Sequence, residues 1–146
     1  MRVQFVAGLG PLVRDLPARL KFYRDMLGIP LEGDEDDYVR TDKLSGVNHF
    51  GQWLLSDATE SIFGTSEWPA DVPVPQANLE FDLDSPGAVD DAAVKLREGG
   101  YPILVGPKVE PWGQTVLRLL GPEGLLITLS YTPWMHEEQR EDSASG

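Results

Sequence analysis

The chain has 146 residues and no cysteine, and it carries 24 acidic against 12 basic side chains, a formal charge of -12. Such a length suits one domain, or two small halves sharing a core large enough to enclose a cavity. The missing cysteines exclude disulfides, thiolate nucleophiles and sulfur-ligated metals, and the negative field disfavours nucleic acid and anionic lipid surfaces as partners.

From the N-terminus, residues 3–9 read as a strand, and Gly8, Gly10 and Pro11 then loosen the chain. Asp15 is an N-cap for a helix running to about Leu27, with Leu16, Leu20, Tyr23 and Leu27 at helical spacing and Gly28 as its stop. Ile29 to Asp37 is an acidic short strand plus turn, Tyr38 to Arg40 an extended run, and Val47 to Leu55 a strand rich in large side chains. Ser56 caps a short helix over about 57–63. The crossing from Trp68 to Pro75 holds Pro69, Pro73 and Pro75, and it reads as an extended linker because proline fixes φ and lacks an N–H.

The order then begins again. Leu79, Phe81 and Leu83 alternate with Asn78, Glu80 and Asp82, so Gln76 to Leu83 is a strand with one apolar and one polar face. Ser85-Pro86 opens a helix whose Val89, Ala92, Ala93 and Leu96 share a face, and Gly99-Gly100 ends it. Ile103 to Val105 is a short strand, Gly106-Pro107 a break, and Gln114 to Leu120 and Leu125 to Tyr131 are longer strands joined by a Gly-Pro-Glu-Gly turn. Both halves read strand, helix, strand, strand, strand, which divides the chain into residues 1–66, a linker 67–75, residues 76–133, and an acidic tail 134–146 expected to be disordered.

Three stretches, Phe22 to Gly28, Asn78 to Leu83 and Gly121 to Ile127, together with Gly106-Pro107 and Glu110 to Gly113, carry a resemblance to the vicinal oxygen chelate superfamily. That superfamily includes glyoxalase I, extradiol dioxygenases and bleomycin-resistance binding proteins. The resemblance implies an α+β fold of two βαβββ modules whose mixed sheet forms a cup with helices outside, usually in a homodimer. Metal-dependent members carry His or Glu on the first and last strand of each module. The aligned places here are Gly8, Phe50, Asn78 and Thr128, none of them a good ligand. His49 stands one residue from its aligned place. One imidazole does not make a Zn or Fe site, which takes about three protein ligands, so no cofactor is expected and His49 is the sole weak metal candidate.

In this register Asn78, Glu80, Asp82, Thr128 and Ser130 face the cup, and Gln114 and Arg118 share a face of their strand. Glu80 and Arg118 come within reach of each other. Two arrangements follow: a buried pair that shields both charges, or a solvent-facing polar row. An unpaired Glu80 in an apolar cavity would serve as an acid or base, which makes it the catalytic candidate. His49, Phe50 and Trp53 complete the expected ligand-binding set, with aromatic faces suited to a planar ligand. Trp112 and Trp134 read as anchors of loop ends, and His136, in the tail, as inert.

No phosphate-cradling loop, nucleophile elbow or zinc-protease motif is present in the sequence. No stretch approaches the roughly 20 apolar residues of a membrane span, and a cytoplasmic location is expected. The expectation is a metal-free binder of a cationic or planar small molecule, akin to antibiotic-sequestering proteins. The alternative is a glyoxalase- or dioxygenase-type enzyme whose divalent metal is held by His49 with Glu80 or Asp82.

Overall fold

The computed structural model describes residues 1–33 and 38–136. Seven strands form one open mixed sheet: β1 (Phe5–Val13), β2 (Val39–Thr41), β3 (Phe50–Leu54), β4 (Ala77–Asp82), β5 (Val105–Val109), β6 (Thr115–Leu120) and β7 (Leu126–Tyr131), in the order β2-β3-β1-β4-β7-β6-β5. The order is symmetric about the antiparallel β1–β4 pair. β1 runs parallel to β3 as β4 does to β7, and a bridge between Glu32 and Arg40 stands where the second half has β5. The two βαβββ modules are thus realised as halves of one sheet.

β1 continues four residues beyond the expected strand, through both glycines and Pro11. The glycines are sites of close approach rather than breaks. A Cβ at Gly10 would lie 1.6 Å from the Gly51 carbonyl oxygen on β3, and one at Gly8 would lie 2.8 Å from that of His49. β5 likewise absorbs Gly106-Pro107 as an irregularity between Val105 and Lys108 instead of stopping there.

Asp15 caps α1 (Leu16–Leu20), its Oδ1 accepting from the Ala18 N–H at 3.2 Å, and the helix widens into π turns over Lys21–Met26 before Gly28 ends it at φ 73°. α2 (Leu55–Phe63) starts ahead of the expected Ser56 cap, and α3 (Pro86–Glu98) is capped by Ser85 as expected. Residues 34–37, the last part of the strand plus turn expected over 29–37, and the tail from residue 137 lie outside the described residues. Pro133 to His136 form a helical turn with Met135 buried. Among the described residues no helix is long and apolar enough to cross a membrane.

Period two sorts the sheet into two faces. Leu117, Leu119 and Leu129 pack with Val89, Ala92 and Ala93 of α3, while Val13, Val39 and Phe50 pack with Leu20 of α1. The other face carries Gly8, Gly10, Leu12, Trp53, Asn78, Glu80 and Arg118. At one end of this face Leu12, Leu126 and Trp53 meet Ala58 and Ile62 of α2. That helix blocks the end of the sheet, and the remaining floor stays open.

Candidate functional site

The open floor lies beneath a cavity of about 380 Å³, within the usual range for small-molecule sites. Its central row follows from strand register: Gly8 pairs with Glu80, Glu80 with Thr128, and Thr128 with Arg118. Four strands therefore place hydrogen, carboxylate, hydroxyl and guanidinium side by side.

Arg118 is 1 % exposed. Its Nη1 donates to Glu110 Oε1 at 2.8 Å, and its Cζ sits 5.0 Å from the centroid of the Trp53 ring. Lys108 reaches the same Glu110 oxygen at 3.2 Å. Burial alone would raise the Glu110 pKa, but the hydrogen bond and charge of Arg118, joined by Lys108, outweigh it and hold the carboxyl below its ordinary range. The anticipated meeting of Glu80 and Arg118 is thus replaced by an Arg118–Glu110 pair. Glu80 instead accepts neutral donors, Asn78 Nδ2 at 3.1 Å and Gln114 Nε2 at 3.4 Å. Gln114 in turn accepts from the Trp112 indole at 3.0 Å, which sets that ring at the cavity edge.

Opposite this polar half stands a chain of hydrogen bonds. Asp42 Oδ1 lies 2.8 Å from His49 Nδ1, and His49 Nε2 lies 2.8 Å from the Tyr38 hydroxyl. The carboxylate fixes the proton on Nδ1, so Nε2 accepts from the phenol. Tyr38 as a whole residue is 44 % exposed, but its hydroxyl sinks over Gly51, only 2.0 Å from where a Cβ there would stand. This desolvation, and next the Glu80 carboxylate, push the phenol above its ordinary range.

Of the residues anticipated from sequence, His49, Trp53, Asn78, Glu80, Gln114 and Arg118 line the cavity. Three do not. Phe50 points to the α1 side, because the Leu9–Phe50 register leaves its neighbours His49 and Gly51 on the cavity side. Asp82 is fully buried, accepting from Ser130 and from the Thr132 hydroxyl and N–H, and His136 Nε2 also bonds it. Thr128 stands in the central row but is fully buried, donating to Asn78 at 2.8 Å. His136, expected to be inert, packs its ring against Phe5 and Tyr131.

Tyr38, Arg40, Asp42, Trp112, Thr132, Trp134 and Met135 also line the cavity, unanticipated. Tyr38 and Asp42 flank a strand only three residues long, and no periodicity shows over so short a run. Trp112 and Trp134 were legible as anchors of loop ends but not as walls of a cavity.

The register also relocates one family metal place. Leu9 pairs with Phe50 as Leu79 pairs with Ile127, so the counterpart of Thr128 is Gly51 rather than Phe50. The four places are then Gly8, Gly51, Asn78 and Thr128, which offer no imidazole or carboxylate. At Gly8 and Gly51 a side chain would collide with His49 and Tyr38. His49 has both ring nitrogens engaged and Asp82 is covered. Among the described residues no three His, Asp or Glu side chains are grouped to hold an ion. The residues present do not fit the metal that catalytic relatives carry.

The fold and this floor define a member of one family. The profile of the Glyoxalase/Bleomycin resistance protein/Dioxygenase superfamily matches residues 9–129, and the chain belongs to it. No curated protein matches the chain in sequence. Among solved structures it is similar to a protein described as an NAD-dependent benzaldehyde dehydrogenase from Legionella pneumophila (14 % identity, 85 % of this chain and 96 % of that one, TM-score 0.59). It is also similar to the Mn(II)-bound glyoxalase from Novosphingobium aromaticivorans (20 % identity, 89 % and 39 %, TM-score 0.57) and to the Streptomyces coelicolor methylmalonyl-CoA epimerase (17 % identity, 90 % and 99 %, TM-score 0.50). Identities this low show the shared fold alone.

Proposed function

We propose that this chain is a metal-independent small-molecule-binding protein that holds a flat ligand among Trp53, Trp112 and Trp134. One observation carries the reading: the aromatic-lined cavity stands on a floor whose family metal places are backbone and neutral oxygens. Large flat side chains around a 380 Å³ space favour retention of an aromatic molecule. Antibiotics of that shape, as sequestered by the bleomycin-resistance members of the superfamily, are the first ligands to test.

A second reading is favoured by the Asp42–His49–Tyr38 chain, which faces Glu80 within the same cavity. Such groups act on protons: Glu80 takes one from a bound substrate and returns it, while the Tyr38 hydroxyl, its own proton held by His49 Nε2, anchors the substrate through its oxygen. That would be acid–base catalysis without a metal.

Incubation of metal-stripped protein with a panel of planar antibiotics, followed by mass spectrometry of the recovered ligand, tests both. Stoichiometric recovery of unchanged ligand supports the binder. Product formation refutes it, and a loss of at least tenfold in kcat for both Tyr38→Phe and Glu80→Gln would then establish the second reading. Failure of every panel member to bind sinks both.

A further inference from the structure

The chain as a whole is strongly acidic, yet its cavity is not. Arg40 and Arg118 face it together with Asp42 and Glu80, two charges of each sign. Arg40 and Asp42 stand at the partly open β2 side. Glu80 and Arg118 stand on the floor, and their separate environments decide what each has left to give.

The Arg118 guanidinium has five N–H donors. One meets Glu110; Nε is sealed from solvent with no acceptor, and Nη2 has none among the described residues. Two cations, Arg118 and Lys108, share the Glu110 carboxylate, so positive charge is in excess at this end of the floor. A buried donor without an acceptor is destabilising; Nε stays sealed, and a ligand oxygen meets the guanidinium at Nη2, which is unpartnered among the described residues and not sealed. Glu80 is the reverse case. Its two oxygens receive only amide N–H groups, which orient the carboxylate without cancelling its charge. Both side chains rise from one row and one face, two strands apart, which sets their roots roughly 10 Å from each other at the usual inter-strand spacing. A single ion satisfies one of the two groups only; with a charge-assisted hydrogen bond of about 2.8 Å at each end, a molecule that carries an ammonium beside a carboxylate meets both.

We infer that the cavity recognises a zwitterionic aromatic molecule, whose cationic nitrogen meets Glu80 and whose oxyanion meets Arg118 while its ring lies against the tryptophans. This deepens the binding reading above and rests on it. A purely cationic ligand leaves Arg118 unrelieved, and a purely anionic one is repelled by Glu80.

The test uses tryptophan, tryptamine and indole-3-propionate, which share a ring and differ only in charge. Binding to the full chain is followed through the indole N–H resonances of its four tryptophans. Tryptophan is expected to half-saturate Trp112 and Trp134 at a concentration at least tenfold below either other probe. Glu80→Gln is expected to erase its advantage over indole-3-propionate. The role of Arg118 is read from the deficit of tryptamine on the native protein, so it does not depend on a variant that disturbs the Glu110 cluster. Tryptamine or indole-3-propionate binding as tightly as tryptophan would overturn the zwitterion assignment and leave the cavity standing as a binding site. No perturbation of Trp112 or Trp134 by any probe at its solubility limit would overturn both.

Discussion

The two halves of the sheet share strand order and bury their outer faces against a helix in the same way, but they furnish the cavity with different material. In the first half the floor around β1 is backbone: Gly8 and Gly10 bring β1 so close to the β3 side that no side chain fits between, Gly51 makes room for Tyr38, and Trp53 rises at the α2 end. Its functional groups come from the edge, where Tyr38, Asp42 and His49 lean over the glycines. In the second half the floor is side chain, with Asn78 and Glu80 rising from β4, Arg118 from β6 and Gln114 from just before it, tied to one another or to Glu110. A repeated fold can therefore lose symmetry in its site without losing it in its core, because period two keeps the two faces chemically independent.

The sharpest way to break this contrast is to disturb the ion cluster of the second half. Glu110→Gln leaves Arg118 buried without its carboxylate, and a loss of about 3 kcal/mol is expected, the low end for a broken buried pair because Lys108 is partly exposed. The pH dependence fixes the assignment. Since the folded pKa of Glu110 is depressed, its contribution is complete above the unfolded carboxylate value of about 4.3 and is lost as pH falls below it toward the folded value. Urea unfolding between pH 7 and 3 should therefore show a steep acid limb in the native chain and a flatter one in the variant. Equal slopes would remove Glu110 from the account.

Disturbing the bare half should cost somewhat less. A methyl group at Gly10 meets the Gly51 carbonyl at 1.6 Å, and backbone cannot swing aside as a side chain can. Gly10→Ala is expected at the upper end of the roughly 1–3 kcal/mol that overpacking costs, with the β1–β3 amide hydrogens exchanging faster. Gly28→Ala serves as the comparison: it stands at φ 73° with nothing within 4 Å, so it carries backbone strain without a clash and should leave β1–β3 exchange unchanged. Were both variants to disturb that exchange alike, close packing of the two strands would not be what the first-half glycines provide.

How much of this was legible in sequence differs between the same two halves. Alternation along Asn78 to Leu83 and the cap at Ser85-Pro86 located β4 and α3, and the placing of Asn78, Glu80, Gln114 and Arg118 on the cavity face followed from facing strands. The first half resisted because its signals are ambiguous by nature. Glycine marks a turn or a close approach with the same letter, so β1 was read too short. A parallel register is set by contacts across the sheet, so Phe50 was assigned the face that belongs to its neighbours. Asp82 was placed on the correct face, but no local pattern could foretell that Thr132 and His136 would cover it. Charge partnership is also invisible along the chain: Glu110 lies in a turn eight positions before Arg118, and only the β5–β6 pairing brings them together.

The smallest expected effect probes the edge groups that substitute for a floor in the first half. Tyr38→Phe removes only the hydroxyl bonded to His49, at a residue that is nearly half exposed, and a stability change below about 1 kcal/mol is expected at neutral pH. Its signature should lie at high pH. The folded phenol is held above its ordinary value, so the stability it contributes is present below the unfolded tyrosine value of about 10 and is lost as pH rises through that value and toward the folded one. An ultraviolet titration of the native chain should show one tyrosine ionising later than the others, and Tyr38→Phe should delete that last step. Gly51→Ala should advance it, because a Cβ there would stand 2.0 Å from the hydroxyl and 2.4 Å from the ring Cζ, so the whole phenol must leave its desolvated seat. A late step that survives Tyr38→Phe would mean that the hydroxyl does not sit over Gly51, and the first half of the cavity would then be open floor rather than floor covered from its edge.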